Sequence, residues 1–298
     1  MNTHNLMAQA ITQAHGDLAL PVQLTAPAIF TSDAPVYQAA KQACLALGFI
    51  DIDAECLANA WQAMTARTGQ FNATDWPDQA VDFGMPAWPR DQAFATCPKQ
   101  LGLYAVLPDA VWVGRMARAC VPTVQLRFKS DDAQAIEREI RAAVQAVQGT
   151  NALLFINDHW KAAIAAGAYG VHLGQEDMEV ADLKAIREAG LRLGLSSHGY
   201  AEMVYADRFS PSYIALGAVF PTTLKRMVTA PQGTGRLSAY ARLMHDYPLV
   251  AIGGIDHSKL PDVLASGVGS VAVVRALVAA EQPEDMAASL QAAINEKR

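Results

Sequence analysis

Residues 166–174 read Ala-Gly-Ala-Tyr-Gly-Val-His-Leu-Gly: the end of a helix, a glycine turn, then a short apolar strand. Outward from this unit, apolar, β-rich runs recur about every 20 to 35 residues, with helical patterns between them. The runs predict strands at Leu103–Leu107, Thr123–Phe128, Leu153–Asn157, Gly170–Leu173, Arg192–Ser196, Tyr213–Gly217, Leu249–Ile252 and Ser270–Val274. Nearly continuous apolar strands imply burial on both faces, as in parallel sheets. Helix patterns at 132–147 and 180–189 fall between strands. Eight such units in about 195 residues predict an α/β fold, a compact (β/α)8 TIM barrel over residues 101–298. An open doubly wound sheet is the alternative, but its G-x-G-x-x-G fingerprint after the first strand is missing.

Residues 1–100 have a different texture and predict a mainly helical N-terminal extension. Pro35 to Leu47 reads as one helix, with Gly48 ending it. Asp53 to Arg67 reads as a second, with Asp53 as its N-cap and Gly69 beyond its end. The stretch from Gly69 to Gln92 is rich in Pro, Trp, Asp and Gly and predicts a long loop packed by Trp76 and Trp88. It carries no chemical motif. The helices of this extension could pack on the barrel's outer helices or on a partner subunit, so the sequence leaves a homo-oligomer open.

The chain has 298 residues, 52% of them hydrophobic and 17% charged, with a formal net charge of −6. That composition excludes disorder and disfavours general nucleic-acid binding. No run of about 18 apolar residues predicts a membrane span, and the N-terminus lacks a secretory pattern. Cys44, Cys56, Cys97 and Cys120 stand far apart with no C-x-x-C spacing, so reduced thiols in a cytoplasmic protein are expected.

In a barrel of this kind the chemistry belongs at the C-terminal strand ends, and the polar residues gather there. Alternation puts Gln125, Arg127 and Lys129 on one face of the second strand. Two cations among them suit an anionic ligand; an internal network with Asp158 or Asp177 is the other reading. The third strand ends in Asn157-Asp158-His159, and the fourth is followed by Gly174-Gln175-Glu176-Asp177. Asp158 and Asp177 on adjacent strand tops can hold one Mg²⁺, a hard cation that takes carboxylates, water and phosphate; either alone also serves as a helix cap. His159 and His172 read as structural. Ser196, after the fifth strand, can bond a phosphate or cap a helix. No nucleophile elbow or acidic partner accompanies Ser196-Ser197-His198, which rules out a hydrolase triad. The segment from Val219 to Gly235 offers Thr222, Thr223 and Lys225 as phosphate donors and suits a lid. Gly253-Gly254 after the seventh strand, and Val274-Arg275 after the eighth, occupy the usual barrel phosphate position.

The ordered set VQLRFK, FINDH, GVHLGQEDM, LGLSSH, YIALGAVFPT, APQG, VAIGGI and GVGSVAVV closely resembles the thiamine-phosphate synthase family over residues 101–298. The resemblance implies a transferase. It would join 4-amino-2-methyl-5-hydroxymethylpyrimidine diphosphate to a thiazole phosphate (carboxylate), releasing diphosphate through a pyrimidine methylene cation. It further implies that Gln125, Arg127, Lys129 and Asn157 contact the pyrimidine diphosphate, with Ser196 and Lys225 on its diphosphate. Asp158 and Asp177 would hold Mg²⁺, and Thr222, Thr223, Gly254, Val274 and Arg275 would surround the thiazole phosphate. Two positions depart from the family pattern. Leu224 replaces the second threonine of T-x-T, and Arg275 replaces a serine. A thiazole tautomerase-like barrel and a non-catalytic binder of thiamine precursors are the alternatives. The N-terminal hundred residues lie outside the resemblance.

Overall fold

The computed structural model describes residues 3–21, 29–222 and 229–296. Eight strands form a closed parallel barrel: β1 Gly102–Leu107, β2 Thr123–Leu126, β3 Leu153–Asn157, β4 Gly170–Leu173, β5 Arg192–Ser197, β6 Tyr213–Leu216, β7 Leu249–Ile252 and β8 Ser270–Val273. Closure runs through β1 and β8, where Tyr104 lies opposite Ala272. The expected TIM barrel is therefore present. Its second strand ends two residues early, at Leu126, although the Arg127 amide still donates to Leu107 O at 2.8 Å.

Helices precede and surround the barrel. The extension supplies α1 Thr3–Ala14, α2 Pro35–Ala46 and α3 Asp51–Thr68. The barrel adds α4 Ala110–Arg118, α5 Ala133–Ala146, α6 Trp160–Ala166, α7 Gln175–Met178, α8 Leu183–Glu188, α9 Tyr200–Asp207, α10 Gly233–Leu243, α11 Leu260–Ala265, α12 Arg275–Val278 and α13 Pro283–Glu296. Side-chain caps set several starts: Asp109 accepts from Trp112 N at 2.8 Å, Asp132 from Gln134 N at 2.8 Å and Asp182 from Ala185 N at 2.9 Å. The Asp182 cap explains why the helix expected from Val180 begins at Leu183. The sequence reading missed α1 altogether.

Strand alternation divides the apolar residues in two. Tyr104, Val106, Phe155, Tyr213, Ala215, Val250 and Ala272 fill the barrel interior, while Leu103, Val124, Leu154, Val171, Leu193 and Ile214 face the surrounding helices. Large side chains inside need small neighbours. A Cβ at Gly194 would lie 2.1 Å from the Tyr213 ring, and one at Gly170 would lie 2.5 Å from Phe155.

The outer core does not stop at the barrel. Tyr37, Leu57, Trp61, Phe49 and Trp76 of the extension continue it against Tyr200, Met203 and Tyr240 of the barrel. Trp76 Nε1 donates to the Tyr200 hydroxyl at 2.8 Å, and Phe83 stacks on the same ring at 5.6 Å. Trp88 meets Tyr247 edge-on at 5.3 Å. The stretch expected to be a loop packed by two tryptophans is seated on the barrel in that way. Among the described residues no helix is long and apolar enough to cross a membrane. All four cysteines are free.

Asp53 corrects one expectation. Its helix starts at Asp51, so Asp53 lies inside the first turn and does not cap it. It reaches across to the barrel, where Oδ1 accepts the Ala201 amide of α9 at 2.8 Å. Burial, with the charge of Glu202 adding to it, pushes its carboxyl up to about 6 from an ordinary 3.8 despite these bonds and nearby Arg236. A carboxyl raised on folding contributes stability below its unfolded value and loses it as pH climbs through the folded value. The difference in unfolding free energy between wild type and Asp53→Asn should shift by about 2 kcal/mol between pH 4 and 7, wild type losing ground as pH rises. Denaturant melts of both proteins across that range would check it. Parallel curves would show that Asp53 does not titrate there.

Candidate active site

The interior face of the strands carries the polar residues upward. Gln125, Asn157, His172 and Ser196 all occupy inward positions by parity with Tyr104, Phe155 and Tyr213. Gln125 is 3% exposed and its Nε2 donates to Asn157 Oδ1 at 2.8 Å. Arg127 follows on the same parity, half-buried, while Lys129 stands exposed beyond the strand.

Asp158 sits just past β3 with φ of 63°, a left-handed conformation uncommon outside glycine. Burial, the charge of Asp177 and a hydrogen bond shared with Asp177 push its carboxyl up to about 6, while His159 and Arg127 pull the other way. The two carboxylates expected to share one place therefore do meet, with the Arg127 charge within range. Asp177 lies in the first turn of α7, and its Oδ2 also accepts the Gly174 amide at 3.0 Å. Asp177 is thus the third residue of α7, bonding back to Gly174, and not the helix N-cap itself. Among the described residues, no cluster of three or more His, Cys, Asp or Glu side chains is poised around a common point.

Ser196 closes a buried polar chain that the sequence reading missed. Tyr104 and Tyr213 hydroxyls lie 2.6 Å apart, Tyr213 lies 2.7 Å from His172 Nδ1, and His172 Nε2 lies 2.8 Å from Ser196 Oγ. The signal was present in the strand alternation, since two tyrosines on inward positions need polar partners. Burial raises both phenols, Tyr213 also through the charge of Tyr104, so both stay protonated. Ser196 O accepts from Gln175 Nε2 at 2.6 Å, tying the tops of β4 and β5 together.

On the far side, Gly254 has φ of 63°, and a Cβ there would lie 2.5 Å from Pro221 O. Glycine lets the end of β7 lie directly against the segment leading to Thr222. Lys259 Nζ donates to Gly254 O at 2.7 Å. The base of the 219–232 segment is clasped by Gln232 N to Ala218 O and Gly233 N to Val219 O, both 2.9 Å. Val274 is the residue before α12 and Arg275 its exposed first residue. Thr223, Leu224 and Lys225 lie outside the described residues.

A barrel whose inward polar residues converge on two adjoining carboxylates can now be set beside known proteins. The family model described as thiamine monophosphate synthase matches residues 103–277. Thiamine-phosphate synthase of Neisseria meningitidis serogroup B is 54% identical over 199 residues, 67% of this chain and 97% of that protein. The Neisseria gonorrhoeae protein of the same name is 55% identical over 192 residues, 64% of this chain and 94% of that one. Among solved structures, thiamine phosphate pyrophosphorylase from Pyrococcus furiosus aligns with a TM-score of 0.58 at 26% identity, covering 66% of this chain and 96% of that one. The extension falls outside the family match. With the match spanning the barrel from β1 to α12 and the relatives covered almost whole, this chain belongs to the thiamine monophosphate synthase family.

Proposed function

We propose that the protein is a thiamine-phosphate synthase that condenses 4-amino-2-methyl-5-hydroxymethylpyrimidine diphosphate with a thiazole phosphate. The observation that carries this reading is the meeting of Asp158 and Asp177 beside Arg127, on a chain 54% identical to a protein of that name. Asn157 and Gln125 present a linked amide pair to the same interior.

The donor set suits Mg²⁺. Two adjoining carboxylates, the Asp158 one pushed up to about 6 by burial and by its neighbour, are a charge arrangement that a hard divalent cation relieves. Asp158 and Asp177 would hold it, and when bound it would supply positive charge to the diphosphate as that group departs.

The chain's own residues account for the rest. The bond between the pyrimidine methylene and diphosphate oxygen breaks, and the electron pair leaves with diphosphate. Arg127, Lys129 and Lys225 lower the cost of that charge. Ser196 has a defined role. If His172 donates through Nε2 to Ser196 Oγ, and accepts the Tyr213 proton at Nδ1, the serine proton is left to point at a phosphate oxygen. The methylene cation is stabilised by the amino-substituted ring, and the thiazole nitrogen then forms the new C–N bond. A thiazole carrying a carboxylate loses it as CO₂. Water has to be kept from the cation, the part that the sequence assigns to the segment after β6.

A coupled assay for thiamine phosphate from both purified substrates, with and without Mg²⁺, tests the reading. Consumption of neither substrate would defeat it; unchanged turnover after exhaustive chelation would defeat the metal assignment alone. Arg275 provides a narrower test. An exposed cation at the phosphate end should help hold the thiazole phosphate, so Arg275→Ser is expected to raise its KM several-fold and leave kcat within about twofold. An unchanged KM would place the guanidinium away from the ligand.

A further inference from the structure

Residues 1–100 are absent from the family match, yet two buried polar anchors, one from each side, tie them to barrel helices near the site. Asp53, 4% exposed, closes the N-terminus of α9 through the Ala201 amide. It lies so close to Gly199 that a Cβ there would stand 2.1 Å from its Oδ2. Asp53 thus stands against Gly199, two residues past the end of β5 and three past Ser196. The second anchor is Arg236 in the first turn of α10, 3% exposed. Its guanidinium donates to Leu18 O and Leu47 O, each at 2.9 Å, and lies 3.6 Å over the Phe49 ring. The helix it belongs to follows the segment carrying Thr222 and Lys225. A cavity of about 480 Å³ between α3 and α9 is lined by Asp53 on one side and by Gln175, His198 and Thr229 on the other. The extension thus borders the loops that follow β4, β5 and β6.

We propose that the N-terminal extension is a positioning clamp for the diphosphate end of the site, with Asp53 as its positioning residue acting on Ser196 through Gly199 and the end of β5. The proposal rests on the reading that Ser196 contacts diphosphate. Precise placement of such a donor depends on the shell behind it, and displacements near 1 Å have large kinetic effects. The needed feature of Asp53 is an acceptor oxygen, which asparagine retains and alanine lacks.

The test uses the full chain and four readouts: KM and kcat for the pyrimidine diphosphate, affinity for inorganic diphosphate with Mg²⁺, hydrogen exchange over residues 197–202, and melting temperature. Asp53→Ala is expected to raise KM about 5- to 10-fold, weaken inorganic diphosphate similarly and speed exchange in the 197–202 stretch. The KM for thiazole phosphate should stay within about twofold. Asp53→Asn should restore KM at neutral pH. Gly199→Ala, which forces the carboxylate off its seat, should copy the alanine variant and serves where that variant fails to fold. A lower melting temperature with unaltered KM would leave Asp53 purely structural and overturn the proposal, as would equal KM values for the alanine and asparagine variants. If the wild type forms no thiamine phosphate, the functional reading has failed; the clamp is then decided by exchange and inorganic diphosphate affinity, and no change in either overturns it.

Discussion

Replacing Asp158 with asparagine is expected to lower turnover about 100- to 1,000-fold, the range seen when one preorganised electrostatic group is lost, while the melting temperature holds or rises. The two halves of this expectation share one cause. Asp158 occupies a left-handed backbone position at φ 63° and shares a hydrogen bond with Asp177 against like-charge repulsion. Asparagine tolerates that backbone and carries no charge. The substitution removes the repulsion from the folded state and, with it, the anionic donor proposed for Mg²⁺. A site that gains stability by losing its charge is one whose residues serve the reaction at the fold's expense. Steady-state turnover at saturating substrates, beside a thermal melt, measures both. Near-normal turnover at limiting Mg²⁺ would remove Asp158 from the metal assignment; a melting temperature lowered by more than a few degrees would mean that its carboxylate holds the fold together.

The barrel was legible because parallel strands buried on both faces leave little choice of residue. Runs such as Leu153–Asn157 and Leu249–Ile252 match the observed strands at both ends. The second strand was read two residues too long because Phe128 continues the alternation; the chain leaves the sheet after Leu126, and periodicity alone cannot register the end of pairing. The meeting of Asp158 with Asp177 was readable from adjacent strand tops. Of the chain through Tyr104, Tyr213, His172 and Ser196, alternation signals only that the tyrosines turn inward and need partners; which partners they find depends on barrel closure, which brings the four strands together. Asp53 shows the same limit more sharply. Its position at the start of a helix suggested a local cap, and only the packing of α3 on α9 sends that carboxylate to a helix almost 150 residues away.

Arg90 gives the second large effect. It sits in the Pro- and Trp-rich stretch that carries no chemical motif, and its side chain is 10% exposed against Asp207 at 2%. Nη2 donates to Asp207 Oδ1 at 2.7 Å and to Pro86 O at 2.8 Å; Nη1 donates to Asp207 O at 2.6 Å. Tyr247 donates to the same carboxylate oxygen at 2.8 Å, and Trp88 packs beside Tyr247 while Arg90 lies 5.0 Å over the Trp88 ring. Removing the guanidinium leaves the Asp207 charge buried with the tyrosine hydroxyl as its remaining side-chain partner. An uncompensated buried charge of this kind costs about 3–5 kcal/mol. Arg90→Ala should therefore melt roughly 10 °C below wild type. The pair itself is worth less than that loss, because two desolvated ions offset much of their attraction. Arg90→Ala combined with Asp207→Asn should accordingly recover a good part of the deficit, and Arg90→Lys, which keeps the charge without the planar fork, should fall between. A single variant melting within 2 °C of wild type, or a double variant less stable than the single, would show that the buried charge is not what this stretch neutralises. The expected pattern would instead show that residues outside the family match carry the counter-charge for one of the barrel's own helices, so that this barrel, unlike a free-standing one, depends on its extension for electrostatic balance.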